Sequence, residues 1–158
     1  MRKIKSLFIL AALSLAACSN NSINIDTHSE IVELSEKELN SIGGEKDQNI
    51  TPENFKKLIL YSKISNYDNL KNAHVETVVH LKKLLGDVYW VGTSAEGNTK
   101  NGDYIYEEKV IINLKNTSEQ EIKEALKNAY ITVVWDEGQH TDRFDNNFRS
   151  EEHTSELQ

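Results

Sequence analysis

The histidines are the side chains of this sequence best suited to metal or acid–base chemistry. His74 and His80 flank Glu76 in an alternating run, and in an extended strand all three would lie on one face. Zinc needs three or four converging nitrogen, oxygen or sulfur ligands, and no further ligand is evident beside them. We therefore predict an exposed polar face here, with no metal site and no bound cofactor.

A second group of ionisable residues surrounds a predicted turn. Asp136, Glu137, His140 and Asp142 lie in or beside the sequence Asp-Glu-Gly-Gln. Turns favour Asp and Gly for backbone reasons, which explains this composition without a catalytic site. The chain also lacks a nucleophile elbow, a phosphate-binding loop and a His-Glu-Xaa-Xaa-His zinc motif. We predict that the protein is not an enzyme.

Aromatic side chains are better candidates for binding. Tyr89 and Trp90 are consecutive on a predicted strand, so their side chains point to opposite faces. Core packing explains most such residues, but an exposed ring beside Tyr104 and Tyr106 would create an apolar contact surface. We therefore name Trp90, Tyr104 and Tyr106 as candidate partner-binding residues.

The first residues have the pattern of an export signal. Arg2, Lys3 and Lys5 precede an apolar run over 7–15, which is shorter than the roughly 20 residues that span a membrane. The run ends in Leu-Ala-Ala-Cys, and this cysteine, Cys18, is the only one in the chain. No disulfide within the chain is therefore possible.

This segment resembles the signal peptide and lipobox of bacterial lipoproteins. The resemblance implies cleavage between Ala17 and Cys18, a diacylglyceryl group on the Cys18 sulfur, and an amine that accepts a further acyl chain such as palmitate. One acyl chain binds a membrane only marginally, at about 0.8 kcal/mol per buried methylene, whereas two or three make a stable anchor. We expect a lipid-anchored protein of the cell envelope, outside the cytoplasm, in the cell membrane or in the outer membrane of a diderm host. An ordinary secretory signal that happens to end in cysteine is the alternative.

The last ten residues, 149–158, look like the in-frame translation of a widely used sequencing adapter, and all ten agree. We interpret this tail as non-native, and we expect the natural protein to continue differently after about residue 148.

The charge of the chain limits its partners. The whole chain carries −7, of which the signal contributes +3 and the tail −2, so residues 18–148 carry −8. An acidic body argues against nucleic acid and against attraction to anionic lipids. The lipid on Cys18 must therefore supply the anchoring.

The remaining chain divides into a polar segment and a β-rich domain. Residues 18–50 are rich in Asn, Ser, Glu and Asp, and we interpret them as the lipidated cysteine and a polar tether. A capping box at Ser35 predicts a short helix within this tether. The domain is predicted over 51–148, and Thr51 as N-cap with Pro52 at the first helical position predicts a helix over 52–61 at its start.

Four runs predict strands by alternation or by their β-branched and aromatic content: 74–81, 87–93, 104–114 and 130–135. A helix through Leu85, closed by Gly86, is the alternative to the strand for the first run, and we prefer the strand because the apolar residues spread around most of a helical wheel. Residues 94–103 predict a loop, and a second capping box at Ser118 predicts a short helix. A hairpin turn over 136–139 would let 141–148 return beside the last strand.

The segments 110–118 (VIINLKNTS) and 129–138 (AYITVVWDEG) resemble part of the immunoglobulin-like extracytoplasmic domains of the FxLYD type. That resemblance implies a sandwich fold and transfers no catalytic residue. The length of 51–148 is close to the roughly 100 residues of such a sandwich. We predict a mainly β fold, an Ig-like β-sandwich with a short N-terminal helix. The rival is an α+β fold with one helix on a four-stranded antiparallel sheet.

These expectations allow two functions. The first is a non-catalytic surface domain that binds a protein, the cell wall or another envelope component. The second is an inhibitor or immunity-type lipoprotein that blocks a secreted toxin or protease. Acidic loops projecting at 94–103 or 136–142 would suit the second function, because they could meet a basic target.

Overall fold

The structure, a computed structural model, describes residues 23–42, 51–78 and 80–150. The signal over 1–17, the lipobox cysteine Cys18 and the tail beyond residue 150 lie outside these residues. Cleavage after Ala17 and lipidation of Cys18 therefore stay predictions.

Eight strands and three helices make up most of the described chain. The strands are β1 (Asn24–Glu33), β2 (Phe55–Ser65), β3 (His74–Val78), β4 (Tyr89–Asn98), β5 (Tyr104–Asn113), β6 (Tyr130–Trp135), β7 (Gly138–Arg143) and β8 (Phe148–Ser150). The helices are α1 (Glu36–Ile42), α2 (Leu81–Leu85) and α3 (Glu119–Leu126). Three short 3-10 turns cover Pro52–Asn54, Tyr67–Asn69 and Gly86–Val88.

The strands form two sheets. The large sheet has the order β4-β5-β2-β1-β8, and the small sheet has the order β3-β6-β7. Neighbouring strands are antiparallel except for β1 and β8, which are parallel. The fold is therefore mainly β and sandwich-like, as the sequence predicts. The rival with a single four-stranded sheet is wrong.

The main core lies between the two sheets. On the large sheet, Ile31 opposes Leu58 and Leu58 opposes Val110, and all three are at most 1% exposed. Ile131 of the small sheet and Leu126 of α3 are fully buried against this face. Burying each such side chain stabilises the fold by about 1.5–3 kcal/mol. We call this side of the large sheet the inner face, and the opposite side, on which α1 packs, the outer face.

The predicted polar tether over 18–50 is wrong for its longest described part. Asn24–Glu33 form β1. This strand pairs with β2 along its whole length, and Asn24 lies opposite Ser65. Its inward positions include Thr27 and Ser29 as well as two isoleucines, so the apolar alternation is hidden by hydroxyl side chains. Buried hydroxyls are tolerated because they are hydrogen bonded, Thr27 to the carbonyl of Arg143 at 3.0 Å among others.

The capping box at Ser35 is confirmed. The Glu38 amide donates to the Ser35 hydroxyl oxygen at 3.3 Å, and the Ser35 amide donates to the Glu38 carboxylate at 2.9 Å. These reciprocal bonds begin α1, whose Ile42 packs with Phe55 on the outer face.

The helix predicted over 52–61 is wrong. Pro52–Asn54 make a single 3-10 turn, after which β2 runs from Phe55 to Ser65 between β1 and β5. Leu58 and Leu60 are buried while Ile59 between them is partly exposed, which is the period of a strand. The Thr-Pro helix-start motif therefore produces only one helical turn. Pairing with two neighbouring strands outweighs the local helix preference of the residues that follow.

The strand predicted over 74–81 is confirmed for His74–Val78. The chain then forms α2, which ends at Gly86 with φ of +55°, a conformation that side chains disfavour. The alternative helix is therefore wrong for His74–Val78 and is present only from Leu81 to Leu85. The loop predicted over 94–103 is wrong at its start, because β4 continues to Asn98 opposite Tyr104.

The later elements agree with the sequence. The predicted strands over 104–114 and 130–135 are β5 and β6. The capping box at Ser118 begins α3, since its hydroxyl oxygen accepts from the Glu121 amide and its own amide donates to the Glu121 carboxylate. β7 returns beside β6. β8 includes Arg149, the first residue of the adapter-like tail.

Candidate binding site

The structure separates the histidines that the sequence places on one face. His74 and Glu76 are neighbours on β3, with Nε2 and Oε1 3.4 Å apart and both side chains exposed. His80 does not share this face, because β3 ends at Val78 and His80 instead precedes α2. In the described part of the chain, no group of three or more His, Cys, Asp or Glu side chains could hold a metal ion.

The ionisable residues around the β6–β7 hairpin support the fold. The Asn72 amide donates to both carboxylate oxygens of Asp136, at 3.0 and 3.1 Å, and Lys71 lies 3.5 Å away. Asp142 accepts a hydrogen bond from the Thr27 hydroxyl at 2.5 Å. These contacts join the hairpin to the segment before β3 and to β1.

The three aromatic residues named from the sequence do not form one surface. Tyr106 is 6% exposed and donates its hydroxyl to Glu108 at 2.6 Å within the fold. Tyr104 is half-buried beside Tyr67, with ring centroids 5.1 Å apart. Both tyrosines lie on the inner face, whereas Trp90 lies on the outer face. Tyr106 is therefore corrected to a core residue, because alternate residues of β5 point inward.

Trp90 and its neighbour Val91 are the exposed large apolar side chains of the described chain, at 44% and 50% exposed. The Trp90 ring meets the Phe55 ring edge-on, with centroids 5.3 Å apart. An irregularity in the pairing of β4 with β5 falls between Tyr89 and Val91. Such a bulge redirects side chains, and here two consecutive apolar residues are left in contact with solvent. We call Trp90 and Val91 the exposed pair.

The exposed pair lies at the end of the large sheet opposite to the start of β1. Through β2 and β5, the strand register connects Ile25 with Asn98 at one end and Val32 with Val91 at the other. The seven residue steps from Ile25 to Val32 correspond to about 23 Å of strand. The N-terminal end of the domain and the exposed pair are therefore well separated.

A groove of about 150 Å³ lies on the outer side of β4, beside the exposed pair. Its lining residues include Val91, Thr93, Ile111, Lys57 and Lys109. Both lysines are already paired, Lys57 with Glu38 at 2.8 Å and Lys109 with Glu107 at 2.7 Å. The groove therefore offers mainly apolar contacts.

A larger cleft of about 560 Å³ opens on the inner side of β4, next to α2. It is lined by His80, Leu81, Lys82, Lys83, Tyr89 and Glu108. Partial burial raises the pKa of Glu108, and the hydrogen bond from Tyr106 acts in the opposite direction. Lys82 and Lys83 are exposed and form no ion pair with any described residue. With two lysines against one glutamate, the cleft lining is basic on an acidic domain.

Gly92 allows Tyr89 to form a wall of this cleft. A Cβ atom at Gly92 would lie 2.7 Å from the Tyr89 hydroxyl oxygen and 2.9 Å from Cγ2 of Val110. Real side chains do not approach so closely, so any larger residue would displace the tyrosine ring.

Sequence reasoning missed Val91, the two cleft lysines and the role of β4 as a sheet edge. One signal was available, because Tyr89–Asn98 contains a single charged residue, Glu96, in a chain rich in charge. The identity of the edge strand was not readable, since it depends on which strands pair with which.

No helix in the part of the chain that the structure describes is long and apolar enough to cross a membrane. The fold and surface define the class of molecule as a small two-sheet β domain with an apolar site on one sheet edge. The chain has no match among models of known protein families, among curated proteins or among solved structures.

Proposed function

We propose that this protein is a lipid-anchored extracytoplasmic binding domain without catalytic activity. It is held at the membrane through Cys18 and contacts a protein or envelope partner through the exposed pair. The observation that carries the proposal is the position of Trp90 and Val91, which are exposed at the end of the sheet opposite to the N-terminal attachment.

The short connection between Cys18 and the domain supports this orientation. Five residues separate Cys18 from Asn24, the first residue of β1, so the two are six residue steps apart. A fully extended chain of that length reaches at most about 20 Å, so the end of the sheet at Asn24 stays near the membrane. The exposed pair is then presented away from the lipid, where apolar contact serves a partner rather than membrane insertion.

An inhibitor or immunity-type role has less support. It relies on projecting acidic loops, but Asp103 pairs with Lys63 at 2.9 Å and Asp136 is bonded by Asn72. These carboxylates already hold the fold together. The apolar pair therefore remains the better candidate for contact with a partner.

Fatty-acid labelling tests the anchor. The full precursor, expressed in bacteria with an alkyne-bearing palmitate analogue, should incorporate label, and its mature form should begin at Cys18 by intact mass. Cys18→Ser should abolish both labelling and cleavage at this position. An unlabelled wild-type protein, or a labelled Cys18→Ser variant, would contradict the lipoprotein proposal.

Site-specific photocrosslinking in living cells tests the contact surface. A photoreactive residue replacing Val91 in the full chain should give a discrete adduct with an envelope protein or cell-wall fragment. The matched control replaces His140, which is exposed on the edge strand β7 of the small sheet. No adduct from position 91, or equal adducts from both positions, would count against the proposal.

A further inference from the structure

The edge strand β4 is poorly protected against pairing with another strand. The two sheets have four edges among the described residues, β4, β8, β3 and β7. β4 is the longest, with ten residues and one charge, whereas β7 has six residues that include Asp142 and Arg143. Proteins usually block open edges with charges, prolines or short strands, because the free backbone groups otherwise recruit a further strand.

The two faces of β4 offer different environments to such a strand. The groove beside Val91 and Thr93 lies on the outer face, and the cleft beside Tyr89 lies on the inner face. Side chains of a strand alternate between the two faces of its sheet. A strand added to β4 would therefore place every second side chain near the outer groove and the others near the inner cleft.

The chemistry of the two faces differs as well. Near the outer groove, Val91 and Ile111 are apolar, and the adjacent lysines are neutralised by Glu38 and Glu107. At the inner cleft, the two lysines Lys82 and Lys83 outnumber the one lining carboxylate, Glu108, and neither lysine forms an ion pair with a described residue. Apolar side chains thus match the outer face, and carboxylates match the inner face.

We propose that β4 binds an extended segment of a partner protein by strand addition, with apolar and acidic side chains alternating along that segment. Backbone hydrogen bonds to the open edge would supply affinity, and the two faces would supply selectivity. This inference rests on the proposed binding function and names its partner class.

Peptide binding to the full lipid-carrying chain, purified in detergent, tests strand addition. The probe is a fluorescent peptide of about eight residues that alternates valine and glutamate, followed by fluorescence anisotropy. It should bind saturably, and an otherwise identical valine–lysine peptide should bind about tenfold more weakly. N-methylation of alternate peptide nitrogens should abolish binding, because it removes the backbone donors.

Charge reversal in the protein provides the matched control. The double variant Lys82→Glu and Lys83→Glu should weaken binding of the valine–glutamate peptide about tenfold. Lys100→Glu with Lys115→Glu changes the same charge at exposed positions outside the cleft lining and should leave binding unchanged.

Three results would overturn strand addition: equal binding of both peptides, binding unaffected by N-methylation, or dimerisation that occupies the edge without peptide. Sedimentation velocity detects the last result. If the peptide does not bind while the photoreactive residue at position 91 still gives an adduct, strand addition is wrong and the proposed binding function stands. If labelling of Cys18 fails while the peptide binds, the anchor is wrong and strand addition stands.

Discussion

The Ser29 hydroxyl donates a hydrogen bond to the carbonyl oxygen of Phe144 at 2.5 Å, across 115 residues of chain. Both residues are fully buried. The Asn147 side-chain amide adds a bond to the carbonyl of Thr27 at 2.9 Å. β1 is therefore tied to the turn after β7 as well as to its strand partner β2. β1, whose polar composition resembles that of a tether, is therefore an integral strand of the folded domain.

Replacing Ser29 should destabilise the protein much more than replacing Ser62. Ser29→Ala leaves a buried carbonyl without its donor, which should cost about 1–3 kcal/mol of unfolding free energy. Ser62 is equally buried on β2, but its hydroxyl has no hydrogen-bond partner among the described residues, so Ser62→Ala should be neutral or slightly stabilising. Urea denaturation measures both changes. Equal losses in the two variants would refute this assignment of hydrogen bonds.

Removing β1 should prevent folding. A chain that begins at Thr51, the domain start expected from sequence, lacks a strand that pairs with both β2 and β8. It would expose Leu58 and Leu60 beside an open strand edge. We expect it to lack dispersed amide signals in NMR spectra. The control is a chain that begins at Ile23, which should give the dispersed spectrum of a folded domain.

Glu108 should lower stability at neutral pH. Its raised folded-state pKa means that the folded protein holds this proton more tightly than the unfolded chain does. Stability should therefore fall as pH rises from the ordinary carboxyl pKa through the raised value. Glu108→Gln keeps an acceptor for the Tyr106 hydroxyl and removes the charge. Thermal denaturation should show the variant more stable at pH 7, with the difference lost at acidic pH.

Glu38 should have the opposite pH dependence. Hydrogen bonds from Lys57 and then from Ser35 lower its pKa from 4.5 to about 2. The stability that it contributes to α1 is present above pH 4.5 and is lost as the pH falls towards 2. The protection factors of the α1 amides, which correct for the pH dependence of intrinsic exchange, should therefore fall below pH 4.5 in the wild type. Glu38→Gln should show lower protection factors at neutral pH and little further change on acidification.

Local signals in the sequence were the most reliable. The capping boxes at Ser35 and Ser118 need only residues three positions apart, and both begin helices in the structure. β5 and β6 carry runs of β-branched and aromatic residues, and both are strands. The mainly β class follows from such runs, because the residues of each run favour extended backbone without help from distant residues.

The proposed partner-binding surface was only partly predictable. The sequence names Trp90 and Tyr106 as candidates, but Trp90 is exposed whereas Tyr106 belongs to the core, and the exposed Val91 is not among the candidates. Whether a strand residue is covered depends on the sheet or helix above it, which lies far away in the chain. For the residues of β4, the neighbouring strand and the position of α2 decide which side chains are covered.

By itself the sequence determined the capped helices, the two clearest strands and the mainly β class, because these depend on residues near one another in the chain. Only the tertiary structure decided that Asn24–Glu33 is a sheet strand, that Phe55–Ser65 is extended, and that β4 is an open edge. The physical reason is the same in each case. Strand pairing and burial are completed by residues distant in sequence, so a segment's own composition does not reveal them.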